Sequence, residues 1–355
     1  MALEFLQKSN LLSYKGDKCL RNDYARNACT ICLDICPADA LIIDRLKFVI
    51  DGDKCVACAG CLGGCPTESL TLENFDPNTF VLSFASLEKP ELSCKQNTSC
   101  LAGFDAQHLV TMSLKSDNEP VCDLSHCATC DLNSESLLSD TIRQRIDQAN
   151  IFMKELGLEK TVTTLEVKED APKQRFGVFK KMYKSVDTVS QDQATAIYSG
   201  DLTNHVPLKT VLLKNALREH MRDIKNTTLT SESHIFTRKE IDFDKCTNCH
   251  ECVLFCPTKA LISTDDKQGI LFNGGDCIGC GICEDACKDD AIKSSSSFDL
   301  VNLVYDRVEE LVHYEMAKCH ECKCAYPYKG GEQICDRCKG FTEEHEGLFT
   351  LARDL

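Results

Sequence analysis

The chain has 355 residues, a formal net charge of −15 and 26 cysteines. An acidic surface repels nucleic acid, and no stretch approaches the roughly 18 uninterrupted apolar residues of a membrane-spanning helix, so neither partner is expected. Residues 1–18 lack the apolar segment and the small-residue cleavage site of a secretory signal. These features favour a cytoplasmic protein whose cysteines bind metal rather than form disulfides.

The N-terminal region, residues 1–75, contains two runs of four cysteines. The second run has the spacing Cys-x2-Cys-x2-Cys-x3-Cys, and the first is a copy with a longer insert after its first cysteine. The runs are Cys19, Cys29, Cys32 and Cys36, then Cys55, Cys58, Cys61 and Cys65. Two residues between ligands let one tight loop hold three corners of a [4Fe–4S] cluster. Between the runs, residues 40–51 predict two short strands around a turn.

Residues 76–170 predict a small α/β domain. Helices are expected over 106–114 and 134–156, and strands over 120–122 and 161–167. We expect the cysteines of this domain to gather at the ends of the strands. They are Cys94, Cys100, Cys122, Cys127 and Cys130.

This order of cysteines, helix and strand is similar to the iron–sulfur delta subunit of the hydrogenase that works with heterodisulfide reductase. The resemblance implies an additional iron–sulfur cluster of the [2Fe–2S] type. The favoured ligands are Cys94 or Cys100 together with Cys122, Cys127 and Cys130. The alternatives are a zinc site, thiols retained for packing, or a thioredoxin-like dithiol at Cys127 and Cys130. His108 and His126 are interpreted as packing or surface residues.

Residues 171–240 lack cysteine and predict a linker. Its basic and aromatic segment, 172–184, is interpreted as a solvated amphipathic stretch, with a surface for an acidic partner as the alternative. The polar residues 185–200 predict a flexible segment. A helix is expected over 207–218, with Pro207 in its first turn. No site is predicted there.

Residues 241–297 repeat the plan of the N-terminal region. Two further runs are uninterrupted: Cys246, Cys249, Cys252 and Cys256, then Cys277, Cys280, Cys283 and Cys287. Residues 260–263 and 269–272 predict the strands between them. Both halves resemble bacterial two-cluster ferredoxins, down to the proline after Cys36, Cys65 and Cys256. Because Lys288 follows Cys287 instead, we expect the turn, its amide hydrogen bonds and the potential of that cluster to differ.

The resemblance implies that the fourth cysteine of each run binds the cluster of the partner run. Four sets follow: the first (Cys19, Cys29, Cys32, Cys65), the second (Cys55, Cys58, Cys61, Cys36), the third (Cys246, Cys249, Cys252, Cys287) and the fourth (Cys277, Cys280, Cys283, Cys256). Cys19 stands at an unusual distance, so a three-iron cluster or a cysteine from the central domain is the alternative at that corner. Free thiols or zinc are the alternative for the unbroken runs.

Residues 298–355 predict a helix followed by a small metal-binding lobe. The helix is expected from the spacing of Leu300, Val304, Val308 and Leu311. Two Cys-x2-Cys pairs separated by a loop are typical of a zinc ribbon, with rubredoxin-like iron as the alternative. The pairs are Cys319 with Cys322 and Cys335 with Cys338. Cys324 is not expected to be a ligand.

The predicted fold is α+β: two ferredoxin-like modules flank a small α/β domain, and a zinc-ribbon-like lobe follows. No glycine-rich phosphate loop and no catalytic triad is recognised, so no substrate site is predicted. We expect an electron-transfer protein or subunit with four [4Fe–4S] clusters, an additional central cluster and a structural zinc. It would relay single electrons between a redox enzyme, such as a formate dehydrogenase or hydrogenase, and an acceptor, within a larger oxidoreductase complex. The alternatives are a thiol/disulfide reductase-type catalytic subunit that uses the central cysteines, and a redox-responsive interaction protein.

Overall fold

The computed structural model describes residues 11–166 and 206–345, apart from residues 25, 46, 88, 231, 232 and 234. Its described parts mix short helices and strands, as expected. The predicted basic segment 172–184 and polar segment 185–200 lie outside the described residues. Among the described helices, none has both the length and the apolar composition needed to cross a bilayer.

Three short helices and two antiparallel strand pairs form the N-terminal part. The helices are α1 (Leu20–Asp23), α2 (Ile31–Asp34) and α3 (Gly60–Gly64). Strand β1 (Leu12–Tyr14) pairs with β4 (Leu70–Leu72), and β2 (Leu41–Asp44) pairs with β3 (Lys47–Ile50). The β2–β3 hairpin is the predicted one, and it separates the two cysteine runs.

The central part is a parallel three-stranded sheet covered by helices. The strands are β5 (Glu91–Leu92), β6 (Val121–Asp123) and β7 (Thr163–Leu165), in the order β5-β6-β7. The helices are α4 (Pro77–Phe84), α5 (Ala106–Lys115) and α6 (Leu137–Glu155). The helices and strands predicted for this region are therefore present. Because the strands are parallel, their carboxyl ends share one edge of the sheet.

Helix α5 begins at a capping box. The Asp105 carboxylate accepts the His108 backbone amide, and the His108 ring accepts the Asp105 amide. The ring of His108 is buried, and its Nε2 also lies 3.2 Å from the Asn78 side-chain oxygen. The interpretation of His108 as a packing residue is therefore confirmed.

Helix α7 (Leu208–His220) follows Pro207, as predicted, and packs against α4 and α5. Strand β8 (Thr228–Thr230) then pairs with β13 (Ser297–Asp299). Their apolar residues join those of the N-terminal and central parts, so one apolar core includes residues from Leu12 to Val304.

The C-terminal cysteine runs lie on α8 (Glu251–Leu254) and α9 (Ile282–Ala286) and their flanking loops. Strand β9 (Lys239–Ile241) pairs with β12 (Ile292–Ser294). The predicted hairpin is formed by β10 (Leu261–Ser263) and β11 (Gly269–Asn273), and β14 (Val308–His313) pairs with the other edge of β11.

The helix predicted through Leu311 is wrong beyond Val304. Helix α10 spans Leu300–Val304, and Asp306 then has a positive φ of 53°, which ends the helical path. Val308 and Leu311 belong to β14, where the chain satisfies the free hydrogen-bonding edge of β11. The tail continues as the hairpin β15 (Glu315–Lys318) and β16 (Ala325–Tyr328), followed by α11 (Asp336–Glu344).

Candidate metal centres

The three uninterrupted cysteine runs share one loop conformation. In each, the second and the fourth residue after the first cysteine have positive φ. These residues are Ala57 and Ala59, Asn248 and His250, and Gly279 and Gly281. The later residue of each pair precedes the short helix, α3, α8 or α9, that carries the third cysteine. Two left-handed residues in so short a stretch make the loop compact, as a run that holds three corners of one cluster requires.

A second shared turn begins at the fourth cysteine of all four runs. The third residue after it has positive φ: Asp39, Glu68, Lys259 and Asp290. The next amide donates to the thiol sulfur in three of the runs: Ala40 to Cys36 at 3.3 Å, Ser69 to Cys65 at 3.3 Å and Ala291 to Cys287 at 3.2 Å. The expectation that Lys288 alters this turn and its amide hydrogen bond is therefore wrong.

The cysteines of the first set lie together although Cys19 is displaced in sequence. Burial, and then the charges that Cys65, Cys29 and Cys19 carry as thiolates, raise the pKa of Cys32 to about 12. The long insert folds into α1, where Arg21 donates to the carbonyl oxygen of Cys29 at 3.1 Å. This contact ties the insert to the cysteine loop and returns Cys19 to its partners.

The second set adjoins the first. Burial raises the pKa of Cys61, and the neighbouring thiols Cys58, Cys32, Cys36 and Cys55 raise it further. Three of these neighbours belong to the second set, whereas Cys32 belongs to the first. The thiols of the two sets are therefore close enough for their charges to interact.

The C-terminal thiols show the same grouping. Burial, and then Cys283, Cys246, Cys249 and Cys287, raise the pKa of Cys252 to about 12. Cys252 thus has every other member of the third set as a neighbour, and Cys283 links it to the fourth set.

Within the fourth set, Cys283 has Cys280 and Cys256 as neighbours, and Cys277 has Cys283 and Cys280. The fourth cysteine of each run is therefore close to leading cysteines of the partner run.

These groups of thiols suit an iron–sulfur cluster better than a lone metal ion. Burial and mutual repulsion oppose several thiolates in one place, so a cationic core is needed to hold them ionised. Among the described residues, only the tail set (Cys319, Cys322, Cys335 and Cys338) has three or more ligand atoms that all lie within 4.8 Å of one another. The four ferredoxin-like sets are not grouped this closely, which is compatible with thiolates at the corners of a larger inorganic core.

The first and fourth sets meet at an apolar contact that we call the junction: Leu20, Tyr24, Ile282 and Ala286, with Cys29 and Cys280 packed against them. The Tyr24 ring lies 4.8 Å from the ring of Phe255, and its hydroxyl donates to the Asp285 carbonyl oxygen at 3.4 Å. The four sets therefore follow one another in the order second, first, fourth, third.

Sequence reasoning missed two buried lysines beside these sets. Lys209 donates to the Cys65 carbonyl oxygen at 2.9 Å and pairs with Asp105 at 2.6 Å. Lys239, with a side chain only 2% exposed, pairs with Glu284 at 2.5 Å. Burial opposes its charge, but Cys283, Glu284 and Cys277 outweigh burial and raise the pKa of Lys239. Lysine is usually exposed, so nothing in the local sequence indicates these positions.

Four of the five central cysteines gather at one edge of the parallel sheet, and the fifth does not. We call Cys94, Cys100, Cys127 and Cys130 the central set. Burial raises the pKa of Cys94, and the thiolate charge of nearby Cys130 also raises it. Burial likewise raises the pKa of Cys100, with further contributions from the charges of Cys127 and Cys94. Thiols whose charges act on each other in this way are called charge neighbours. Cys122 lies within β6 and is 1% exposed. Burial alone raises the pKa of Cys122 to about 12, with no contribution from another thiol in the described part of the chain.

The tail set has the geometry of a mononuclear site. The Cys335 amide donates to the Cys319 sulfur at 3.4 Å, and the sulfurs of Cys322 and Cys335 are 3.7 Å apart. Tetrahedral zinc, with Zn–S bonds of about 2.3 Å, requires sulfurs about 3.8 Å apart. Burial opposes the Cys319 thiolate, but amide hydrogen bonds from Cys335 and Cys322 lower the pKa of Cys319 to about 6. Cys324 is exposed and outside the set, as expected.

Known proteins match the cysteine-rich parts of the chain. The sequence model of the 4Fe-4S dicluster domain matches residues 238–288. The chain is 35% identical to the ferredoxin-type protein NapH of Haemophilus influenzae over 65 residues, which are 17% of this chain and 23% of NapH. It is 42% identical to the pyruvate synthase subunit PorD of Methanothermobacter marburgensis over 53 residues, 15% of this chain and 59% of that subunit. The chain thus spans less than two thirds of either relative.

A second PorD subunit is matched over most of its length. The pyruvate synthase subunit PorD of Methanocaldococcus jannaschii is 33% identical over 82 residues, which are 23% of this chain and 91% of that subunit. The matched domain is a 4Fe-4S domain, and the shared loop conformation of the cysteine runs suits the ligation of such clusters. The chain therefore belongs to the 4Fe–4S ferredoxin-type family.

Proposed function

We propose that the chain is a multi-cluster electron-transfer protein in which four [4Fe–4S] clusters form one row. A bound cluster of this type gains and loses one electron at a time. The observation that carries the proposal is the junction, because it joins the two cysteine-rich halves through packed apolar side chains rather than through a solvated gap. Leu20 and Ile282, 4% and 0% exposed, exclude water between the first and fourth sets.

In this proposal the crossed ligand sets hold one cluster each, and the two halves are ferredoxin-like modules at 1–75 and 241–297. The grouping of each fourth cysteine with the partner run supports the crossing. The small α/β domain at 76–170, the linker at 171–240 and the lobe at 298–355 complete the proposed organisation. Because Cys19 lies near Cys32, its position supports a first set with four thiolate ligands.

The tail set is proposed to bind structural zinc in a zinc-ribbon-like lobe. Sulfur spacing near 3.7 Å and amide donors to Cys319 support a tetrahedral four-thiolate site. The lobe contacts the C-terminal module: Lys329 donates to the Asp244 carbonyl oxygen at 2.7 Å. Zinc there would fix a lobe that has few buried apolar residues of its own.

The proposed role is that of a component within a larger oxidoreductase complex, between a redox enzyme and an acceptor. PorD is by name a subunit of pyruvate synthase, which supports a subunit role for this chain. A formate dehydrogenase or hydrogenase is the partner expected from the sequence. None of the 26 cysteines is joined in a disulfide, which supports a reducing compartment such as the cytoplasm.

A reductive titration tests the proposal. Anaerobically purified protein is titrated with a low-potential reductant and followed by absorbance and electron paramagnetic resonance (EPR). The wild type is expected to take up at least about four electrons, one for each cubane. Cys252→Ser removes a proposed ligand and is expected to lower the uptake by about one electron. Cys324→Ser, at an exposed thiol outside the sets, is the control and keeps full uptake. A wild type that accepts no electrons contradicts the proposal.

A further inference from the structure

The central set is built by two adjacent parallel strands. Cys94 follows the carboxyl end of β5, and Cys127 and Cys130 follow that of β6, with Leu92 opposite Cys122 in the register. The Ser93 hydroxyl donates to the Asp123 carboxylate at 2.8 Å and ties the two strand ends together. The topology thus brings cysteines from distant parts of the sequence to one place.

A short 3₁₀ turn holds Cys127 and Cys130. The Cys127 amide donates to Leu124 at 2.9 Å, and the Asn133 side chain donates to the Cys127 carbonyl oxygen at 3.0 Å. The thiols of Cys94 and Cys130 are both charge neighbours of Cys127. Three thiols from two strand ends therefore converge.

Cys100 supplies the fourth thiol and connects the set to the N-terminal module. Its amide donates to the Cys58 carbonyl oxygen at 3.1 Å, and its thiol has Cys58, Cys127 and Cys94 as charge neighbours. The following turn packs tightly on the second cysteine loop. A Cβ added at Gly63 would lie 2.5 Å from the Ala102 carbonyl oxygen, so this approach requires glycine.

The central set is not grouped as a single zinc ion requires. Four ligands of a single zinc ion are about 3.8 Å apart, as in the tail set. Among the described residues, no three of the central thiols lie mutually within 4.8 Å, whereas the tail set meets that limit. The four ferredoxin-like sets do not meet it either.

We propose that Cys94, Cys100, Cys127 and Cys130 bind a fifth iron–sulfur cluster, placed beside the second set at the end of the row. This site rests on the proposed function. It replaces the ligand set expected from the sequence, because Cys94 and Cys100 both contribute and Cys122 is a core residue of β6. A cluster here would extend the row into the parallel sheet.

Metal analysis of the full chain tests this site. Protein is purified anaerobically, and iron, labile sulfide and zinc are counted per chain. Four cubanes give about 16 iron atoms, and the fifth cluster adds about two or four more with equal sulfide. Cys94→Ser and the double variant Cys127→Ser/Cys130→Ser are expected to lose this excess and to keep the EPR signals of the four cubanes. Cys122→Ala is the matched control and keeps the full iron content.

Three results overturn the site: wild-type iron that does not exceed about 16 atoms, a second zinc in place of the excess iron, or loss of the excess iron in Cys122→Ala. The iron content of the wild-type chain shows whether the fifth cluster is present even where a variant fails to fold. Failure of the proposed function gives a different result, namely wild-type protein without the iron of the four cubanes.

Discussion

Replacing Lys239 with methionine tests whether the fourth set holds a redox-active cluster. Its ammonium group lies among Cys277, Cys283 and Glu284, in a side chain shielded from water. A positive charge stabilises the extra electron of a reduced cluster, so Lys239→Met is expected to lower the reduction potential. Methionine keeps most of the apolar stem in place.

The size of the effect follows from the charge interaction. At an effective dielectric constant of about 20, a unit charge roughly 7 Å from the added electron contributes about 2 kcal/mol. For a one-electron couple this corresponds to a shift of about 100 mV. In the wild type, Glu284 offsets part of the Lys239 charge. In the variant, Glu284 loses its ion-pair partner, and its negative charge also disfavours the added electron. The reduction potential is therefore still expected to fall.

The assay is a redox titration monitored by EPR. One signal is expected to move down by about 100 mV while the others stay in place. Lys293→Met is the control, because Lys293 pairs with Asp290 on the exposed side of β12, with a side chain 61% exposed, and water screens its charge. Unchanged potentials in Lys239→Met, or an equal shift in Lys293→Met, would show that the Lys239 charge does not set the potential of the fourth set.

Three further variants test other parts of the structure. Cys19→Ser is expected to lose about one iron atom and to show the EPR signal of a three-iron cluster; a full cubane content would show that Cys19 is no ligand. Lys209→Met removes the buried lysine that pairs with the partly buried Asp105 carboxylate and is expected to cost about 3 kcal/mol, measured as a lower melting temperature. Gly275→Ala drives a Cβ into a backbone carbonyl of α10 and is expected to cost about 1–3 kcal/mol, whereas Gly340→Ala meets no atom within 4 Å and is the control. Equal melting temperatures for these two glycine variants would contradict the close packing of Gly275 against the backbone of α10.

Local patterns in the sequence predicted the parts of the fold that depend on neighbouring residues. The cysteine loops, both hairpins between the runs and the helices α5, α6 and α7 all follow from spacing, periodicity or capping within short windows. The grouping of Cys65 with Cys32 came only from resemblance to a known family, since nothing local links the two residues.

Tertiary contacts decide what the sequence could not predict. Val308 and Leu311 fit a helical period, but pairing with β11 makes them a strand. Cys122 lies buried within β6, whereas Cys94 follows the end of β5, and the sequence alone did not show on which side of a strand end each cysteine falls. The junction at Tyr24 joins residues far apart in the chain, and Lys239 carries no local sign of burial.

Mössbauer spectroscopy of anaerobically purified, iron-57-enriched protein, combined with a labile sulfide assay, shows directly whether the four sets hold cubane clusters. We expect at least about 16 iron atoms in cubane environments, with matching sulfide, in a brown protein. Colourless protein without labile sulfide, whose thiols in the four sets are free or bound to zinc, would contradict this expectation.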